Sequence, residues 1–351
     1  MKRRLLDSLQ FVDATISLPM NLQYLRASSI KTYEGCQFQY FLDSVLEIPS
    51  ASGKKAMLGT IVHHVLEIMA RGKKLNHNSG IYTDHKALLE ICWKRYKKEN
   101  DGKLELADGA DKKFCLKSIE KIIGTRYDPR RLNVISTEKQ FRIELKMPGF
   151  SFDYYDILGK KQIKGNYEIR GTVDLITKVD DNTLEIIDWK TGSRKSWETG
   201  ELKDYEYFSN SDIQLRMYDL AMSMVYPQYK NRLLTIHFVN DGGPFTVCFD
   251  DSQRKETLEI LKKHFNNIRG NTLPSRIKEE NGSQSWKCKS TCHYGKTKTE
   301  NGCSICDNVY NYMLANGIEK TIQTVNSVKK SKSEERLAKT SDRRNTFKDS
   351  V

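Results

Sequence analysis

The chain has 351 residues, with 58 Lys and Arg against 45 Asp and Glu, a net charge of +13, and 38% apolar residues. Its mass is 40.6 kDa, its pI is near 9.2 and its mean hydropathy is −0.63. At ~150 residues per domain this length allows two domains or one elaborated core. No apolar run approaches the ~20 residues that cross a bilayer. Asp7, Gln10 and Asp13 interrupt the one signal-like stretch near the N-terminus, so a secreted or membrane-spanning protein is the disfavoured class. The basic balance points to a polyanionic partner, most simply nucleic acid.

In chain order, Ser28-Ser29 reads as the cap of a helix through Val45 and Leu46. A second helix runs from about Lys55 to Arg71. Leu58, Ile61, Val62, Val65 and Met69 give it helical apolar spacing, and Gly72 is expected to stop it. Two more helices follow near Asp84–Lys98 and Asp111–Ile123. From about Val134 the pattern alternates. ISTEKQFRIEL, YEIRGTVDLITKV and TLEIIDWK read as strands. Helix returns over SDIQLRMYDLAMSMVY. LLTIHFV and FTVCF form a strand pair around Asp241-Gly242-Gly243, and helices follow near Ser252–Ile268 and Ser304–Leu314. Asn326–Val351 holds eight Lys or Arg and four acids. It has too little apolar surface to offset its ordering entropy, so it is expected to be a disordered basic tail.

The most informative segment is Arg170-Gly171-Thr172-Val173-Asp174 followed by Ile187-Asp188-Trp189-Lys190-Thr191-Gly192, with turn residues Asp180-Asp181-Asn182 between them. A hairpin centred on Asp181 puts Asp174 directly opposite Asp188, where facing Cβ atoms lie roughly 4.5–5.5 Å apart. Two carboxylates that close need a cation or a proton. A slip of one residue would separate them. Lys190 lies two residues past Asp188, on the same face. Paired carboxylates with a lysine beside them suit metal-assisted hydrolysis. Mg²⁺ takes oxygen ligands, and Lys190 can orient water or stabilise developing negative charge. An isolated Asp-x-Lys is far more often a surface salt bridge; the constellation gives this one weight.

Gly59, His63 and Glu67 recur every four residues and form one stripe beside the apolar face of the second helix. A neutral imidazole can add a nitrogen ligand to a carboxylate-bound Mn²⁺ or Mg²⁺. Alone, such a histidine is more often a core residue, as His64 is expected to be. Of eight cysteines, Cys288, Cys292, Cys303 and Cys306 fall within nineteen residues. Clustering of this kind suggests a metal more than disulfides. The four late cysteines alone suffice for one zinc. Cys92, Cys115 and Cys248 read as small core residues. Gly295-Lys296-Thr297 lacks the earlier glycine of a phosphate-binding loop.

Taken in order, Tyr33-x-x-Cys36, Gly59-x-x-x-His63-x-x-x-Glu67, Gly171-x-x-Asp174, Asp188-x-Lys190-Thr191-Gly192, Gln214-x-x-x-Tyr218 and the late cysteines resemble the RecB-type branch of the PD-(D/E)xK nuclease superfamily. In layout they are similar to the AddB nuclease domain and the CRISPR-associated nucleases of the spacer-acquisition module. The resemblance covers roughly Ser28–Cys306. It implies that His63, Asp174 and Asp188 are metal ligands, with the backbone carbonyl of Trp189 completing the sphere, and that Lys190 is the catalytic lysine. It implies that Gln214 and Tyr218 brace the site or contact DNA, and that Glu138 stands where relatives often carry an acid. In iron–sulfur relatives one early cysteine joins three late ones. The resemblance therefore implies a [4Fe–4S] cluster on Cys36, Cys288, Cys292 and one or both of Cys303 and Cys306, with Zn²⁺ as the alternative. Closing that loop costs roughly 5 kcal/mol plus a constant, which metal–thiolate bonds could offset.

The expected fold is α/β: a restriction-endonuclease-like core with a mixed sheet flanked by helices, an N-terminal helical region and a C-terminal Cys-rich region. The expected segments are an N-terminal extension (1–27), a helical region (28–130), the nuclease core (131–275), the Cys-rich region (276–325) and the tail (326–351). The expected activity is Mg²⁺- or Mn²⁺-dependent hydrolysis of DNA, single- or double-stranded, as an exonuclease in recombination, repair or replication. Unwinding would fall to a helicase or recombination partner on another chain. A non-catalytic nucleic-acid-binding subunit and a zinc-stabilised RNA-binding protein are the rival readings. No membrane association is expected. The expected location is the cytoplasm, or a host cytoplasm if the chain is virus-encoded.

Overall fold

The computed structural model describes residues 22–50, 53–77, 79–100, 104–156, 161–196, 200–277 and 285–329. Most of the N-terminal extension, and the basic tail from 330 onward, lie outside the described residues. No helix among the described residues is long and apolar enough to cross a membrane. The chain forms two compact units, each assembled from separated stretches. The described residues of one fall within 52–144 and 168–261, and those of the other within 1–51, 145–167 and 262–351.

The first of these units is the α/β core. It opens with α1 (Lys54–Lys74), which buries Leu58, Ile61, Val62, Val65, Leu66 and Met69 along one stripe. Each such side chain is worth about 1.5–3 kcal/mol when removed from water. Gly72 does not stop this helix, contrary to expectation. It is buried inside α1, and a Cβ there would come within 2.6 Å of the Tyr82 Cβ. That glycine marks a close contact. Asp84 caps α2 (His85–Glu99) by accepting from the N–H groups of Lys86 and Ala87, both at 3.0 Å. α3 (Ala110–Glu120) completes the layer. Trp93, Cys115, Ile119 and Tyr127 join the α1 stripe in one apolar core with Leu175, Ile187 and Trp189 of the sheet.

Within this unit the sheet has β1 (Val134–Glu144), β2 (Glu168–Lys178), β3 (Thr183–Lys190), then, after α4 (Tyr205–Asn210) and α5 (Ile213–Val225), β4 (Asn231–Phe238) and β5 (Phe245–Val247). β1 pairs antiparallel with β2, β2 with β3, and β4 with β5, while β3 and β4 are parallel. Seven of the eight β3 residues are buried, as a strand covered on both faces must be. Alternation sends Ile187 and Trp189 to the α1 side and Asp188 to the α5 side. Asp212 caps α5. Asp219, 1% exposed, ties α5 to β4 by pairing with Arg232 at 2.9 Å, and it also pairs with Arg254 at 2.7 Å. α6 (Asp251–Arg269) follows.

The other unit holds the early and late cysteines. The single helix expected from Ser28 is broken. Ala27–Gly35 and Gln37–Tyr40 are separate helices, followed by a π-turn over Phe41–Val45. Cys36 lies between them in extended conformation, and its Sγ accepts the Gln39 N–H at 3.4 Å, which restarts the helix. Ser29 caps the first helix from inside its first turn, accepting from the Arg26 N–H at 2.9 Å. The sequence pattern did not disclose a hairpin of Ser151–Asp156 with Lys161–Asn166. Its second strand (Lys161, Gln162, Ile163, Lys164) lacks apolar alternation. Its aromatic side packs inward, and Tyr167 stacks on Phe265 with centroids 4.1 Å apart. Ile305–Asn316 is helical with Ser304 as its cap. A helix over 318–329 takes in the first four residues of the expected tail.

Candidate active site

The β2–β3 ribbon adopts the register centred on Asp181. Leu175 pairs with Ile187, Ile176 with Ile186, Thr177 with Glu185 and Lys178 with Leu184. The paired ladder stops at Leu175 and Ile187. Asp174 and Asp188 are the next residues in this register and face one another past its end. Instead of a ladder bond, the Trp189 N–H donates to Asp174 Oδ2 at 3.0 Å. Asp188 is 2% exposed. Its Oδ2 meets Lys190 Nζ at 2.5 Å and its Oδ1 accepts from Gln214 Nε2 at 2.7 Å.

α1 brings His63 to the same point, with Nδ1 3.4 Å from Asp174 Oδ2 and its ring 6.4 Å from that of Trp189. From α5, Gln214 Nε2 also donates to Tyr218 Oη at 2.9 Å, and the Tyr218 hydroxyl donates to the Thr172 carbonyl at 2.6 Å. Gln214 and Tyr218 thus bind the helix to β2 and β3 together. Glu138 on β1 falls between the pairs Thr137–Leu175 and Lys139–Val173, opposite Asp174. Its φ of 44° is left-handed, a region costly for a residue with a Cβ. Glu67 pairs with Arg71 one turn along α1. His64 faces Tyr96, Nδ1 to Oη 3.1 Å, away from the ribbon.

The charges are interdependent. Burial pushes the Asp188 carboxyl up, and the Asp174 charge adds to this against the pull of Lys190. Burial opposes Asp174 ionisation too, but His63, Lys190 and the Trp189 N–H outweigh it and hold its carboxyl below the usual range. His63 and Lys190 are both raised. Burial works against each cation, and the acids prevail. Glu138 is pushed up to about 7, first by burial and then by the charges of Asp174 and Glu67. Two acids with separated ionisation and an ammonium against one of them suit acid–base or metal-assisted hydrolysis. The donor set of two carboxylates and an imidazole matches the hard-ligand preference of Mg²⁺ or Mn²⁺. Among the described residues no three His, Cys, Asp or Glu side chains stand as a ready ligand set; at the ribbon, His63 and Lys190 lie against the acids.

Three positions were not singled out for these contacts by the sequence. Thr191 Oγ1 lies where a Cβ on Gly59 would be, 2.9 Å from it, so the glycine lets α1 approach the strand end after Lys190. Phe141 covers Gly171, where a Cβ would meet the ring at 2.6 Å. Asn240 Nδ2 donates to the Thr191 carbonyl at 3.3 Å.

In the other unit, Cys36 and Cys288 lie near enough to Cys306 for their charges to act on it. Burial, the largest cause, pushes the Cys306 thiol up to about 12 against the pull of Arg276. Cys288 and Cys292 are half-buried, and Cys303 is exposed. Gly295 lies under the Cys288 carbonyl, where a Cβ would overlap it. Cys92 and Cys115 are buried as expected, but Cys248 is exposed and is not a core residue.

A mixed sheet flanked by helices, with the acid ribbon at its centre, defines a restriction-endonuclease-like core. The PD-(D/E)XK nuclease superfamily model matches residues 25–306, and the chain belongs to that superfamily. Its members are nucleases, and they typically use Mg²⁺ or Mn²⁺. Among solved structures, the chain is similar to a Eubacterium rectale protein designated, by inference, an exonuclease. The identity is 14% over 80% of this chain and 98% of the other, with a TM-score of 0.45. It is also similar to SSO0001, with 13% identity over 86% of this chain and 95% of the other and a TM-score of 0.30. No curated protein matches the chain.

Proposed function

We propose that this nuclease is a Mg²⁺- or Mn²⁺-dependent deoxyribonuclease, acting as an exonuclease in DNA recombination, repair or replication. The observation that carries this reading is the end of the β2–β3 ribbon, where Asp174 and Asp188 face each other with Lys190 at 2.5 Å and His63 at 3.4 Å from their oxygens. His63, Asp174, Asp188 and the Trp189 carbonyl would hold the ion. When bound, the ion polarises the phosphodiester and lowers the pKa of a water. Lys190 holds its proton in this acidic setting, so it orients the attacking water and counters negative charge at the phosphorus centre. Gln214 fixes Asp188, and Tyr218 fixes Gln214. Glu138, which lies opposite Asp174 on β1 with its carboxyl pushed up to about 7 by burial and its acidic neighbours, supplies a further carboxyl for proton transfer.

The same reading assigns Cys36, Cys288, Cys292 and one or both of Cys303 and Cys306 to a [4Fe–4S] cluster. The nearness of Cys36 and Cys288 to Cys306 supports it. Brown colour with absorbance near 400 nm after anaerobic purification is expected. Stoichiometric zinc with a dispensable Cys36 would replace the cluster by zinc. The nuclease reading is tested with end-labelled single- and double-stranded DNA, beside RNA, with Mg²⁺, Mn²⁺ or chelator. Metal-dependent cleavage of DNA that Asp188→Ala abolishes is expected; undiminished cleavage by Asp188→Ala defeats the site.

A further inference from the structure

The exposed side of α3 carries charge that the site does not use. Lys113 and Lys117 are exposed, and Lys121, just past the helix end, continues the row at the same four-residue interval. Each step is ~6 Å along the axis. Neighbouring lysines are neutralised. Lys112 pairs with Glu90, Lys54 with Asp111 at 2.8 Å, and Lys97 with Asp108 at 2.5 Å. Lys113 and Lys117 have no acidic partner among the described residues. Glu120, the acid on this side of α3, acts on His85.

The row is tied to the ribbon. Lys121 Nζ donates to Asn240 Oδ1 at 3.1 Å. The Asn240 amide donates to Ser118 Oγ at 2.9 Å and to the Thr191 carbonyl at 3.3 Å. Thr191 directly follows Lys190. The opposite side of α3 is locked into the core by Cys115 and Ile119, both 0% exposed, so the helix cannot roll. A row of lysines on a fixed helix therefore leads, through Lys121 and Asn240, to the strand end that carries Lys190.

We propose that Lys113, Lys117 and Lys121 form a phosphate track that guides a nucleic-acid backbone to the Asp188–Lys190 strand end. This rests on the nuclease reading for its destination, not for its binding. Lysine meets phosphate as a point charge, so the track is indifferent to base sequence. An acidic protein could also engage lysines, but continuity with a phosphodiester-cleaving site favours nucleic acid.

The test is a salt titration of binding, by fluorescence anisotropy of labelled single- and double-stranded DNA in chelator, for the full chain. Each phosphate contact contributes about −0.7 to −0.9 to the slope of log K against log salt. The Lys113→Gln/Lys117→Gln variant should lose about 1.4–1.8 of that slope and bind at least ~10-fold more weakly at low salt. Lys113→Arg/Lys117→Arg should retain both. Lys94→Gln/Lys98→Gln on α2, which removes the same net charge elsewhere, should leave the slope as it is. Matching circular dichroism and melting temperature confirm folding. A wild-type slope in the Lys113/Lys117 variant, an equal loss in the Lys94/Lys98 variant, or no DNA binding by the wild-type chain overturns the track. Lysine-dependent binding without cleavage in Mg²⁺ or Mn²⁺ upholds the track and defeats the nuclease reading; cleavage with lysine-independent binding does the reverse.

Discussion

The backbone N–H of Trp189 points at the side chain of Asp174, 3.0 Å from Oδ2, where a ladder bond would otherwise continue the ribbon. One oxygen thus accepts a strand hydrogen bond and also faces His63 at 3.4 Å. Asp174→Asn keeps an acceptor for Trp189 but removes the charge. Cleavage should fall ~100-fold or more, since an oxygen ligand is lost, and the melting temperature in chelator should also fall, since His63, Lys190 and the Trp189 N–H stabilise the ionised carboxylate. Asp174→Ala also removes the acceptor, which costs about 1–2 kcal/mol. Near-normal cleavage by Asp174→Asn would remove Asp174 from the ligand set.

Lys190 and a divalent ion would compete for Asp188. In chelator, Lys190→Met leaves the buried Asp188 without its cation and should destabilise the fold by about 1–3 kcal/mol. Adding Mg²⁺ should then raise the variant's melting temperature by more than the wild type's, by linkage. Thermal melts with and without the ion check this, and equal shifts would sever Asp188 from ion binding.

Gly59→Ala should separate activity from stability. Alanine is favoured over glycine in a helix by roughly 1 kcal/mol, but its Cβ would come within 2.9 Å of Thr191 Oγ1. The melting temperature should hold while α1 is displaced from the strand end and cleavage drops ~10-fold. Thr191→Ala in the same chain should restore cleavage. Failure of that rescue would make the contact incidental.

Glu138 combines a left-handed backbone with a carboxyl pushed up to about 7. Glu138→Gly relieves the backbone cost, about 1 kcal/mol, and also removes an acid facing Asp174. The expected outcome is a higher melting temperature at pH 8 with reduced cleavage. A variant that is both less stable and fully active would contradict both halves.

Asp128 sets an acid limit on the α/β core. It is 0% exposed and accepts from the N–H groups of Gly124 and Arg130, at 2.8 and 3.0 Å, and from the Arg130 guanidinium. Burial pushes its carboxyl up, but these bonds outweigh burial and hold it below the usual range. The folded protein therefore binds this proton less readily than the unfolded chain. The stabilisation is complete above the unfolded value of ~3.9 and fades as pH falls below it. Asp128→Asn should cost about 2–3 kcal/mol at pH 7 and flatten the acid limb of the stability curve. Unchanged acid unfolding in the variant would refute this.

Much of the core was legible because its signals are local. The Asp180-Asp181-Asn182 turn fixed the ribbon register, and period-two alternation marked β1, β2 and β3. The break at Cys36 was not legible, because the apolar spacing runs straight through it and a thiol capping Gln39 has no signature of its own. Gly72 misled because a glycine inside a helix and one ending it look alike until Tyr82 is seen against it. Asn240, Thr191 and Phe141 act through contacts between residues far apart in sequence, which no spacing reveals. The Ser151–Asp156 hairpin was hidden by its lysine-rich partner strand.

The parallel pairing of β3 with β4 bears on how the chain is made. During synthesis Thr183–Lys190 emerges about forty residues before Asn231–Phe238, its neighbour on that side. Until then a strand that the fold buries along nearly its whole length presents an open hydrogen-bonding edge, a template for self-association. A ribosome pausing within that interval, or a message truncated there, would yield a product prone to clump.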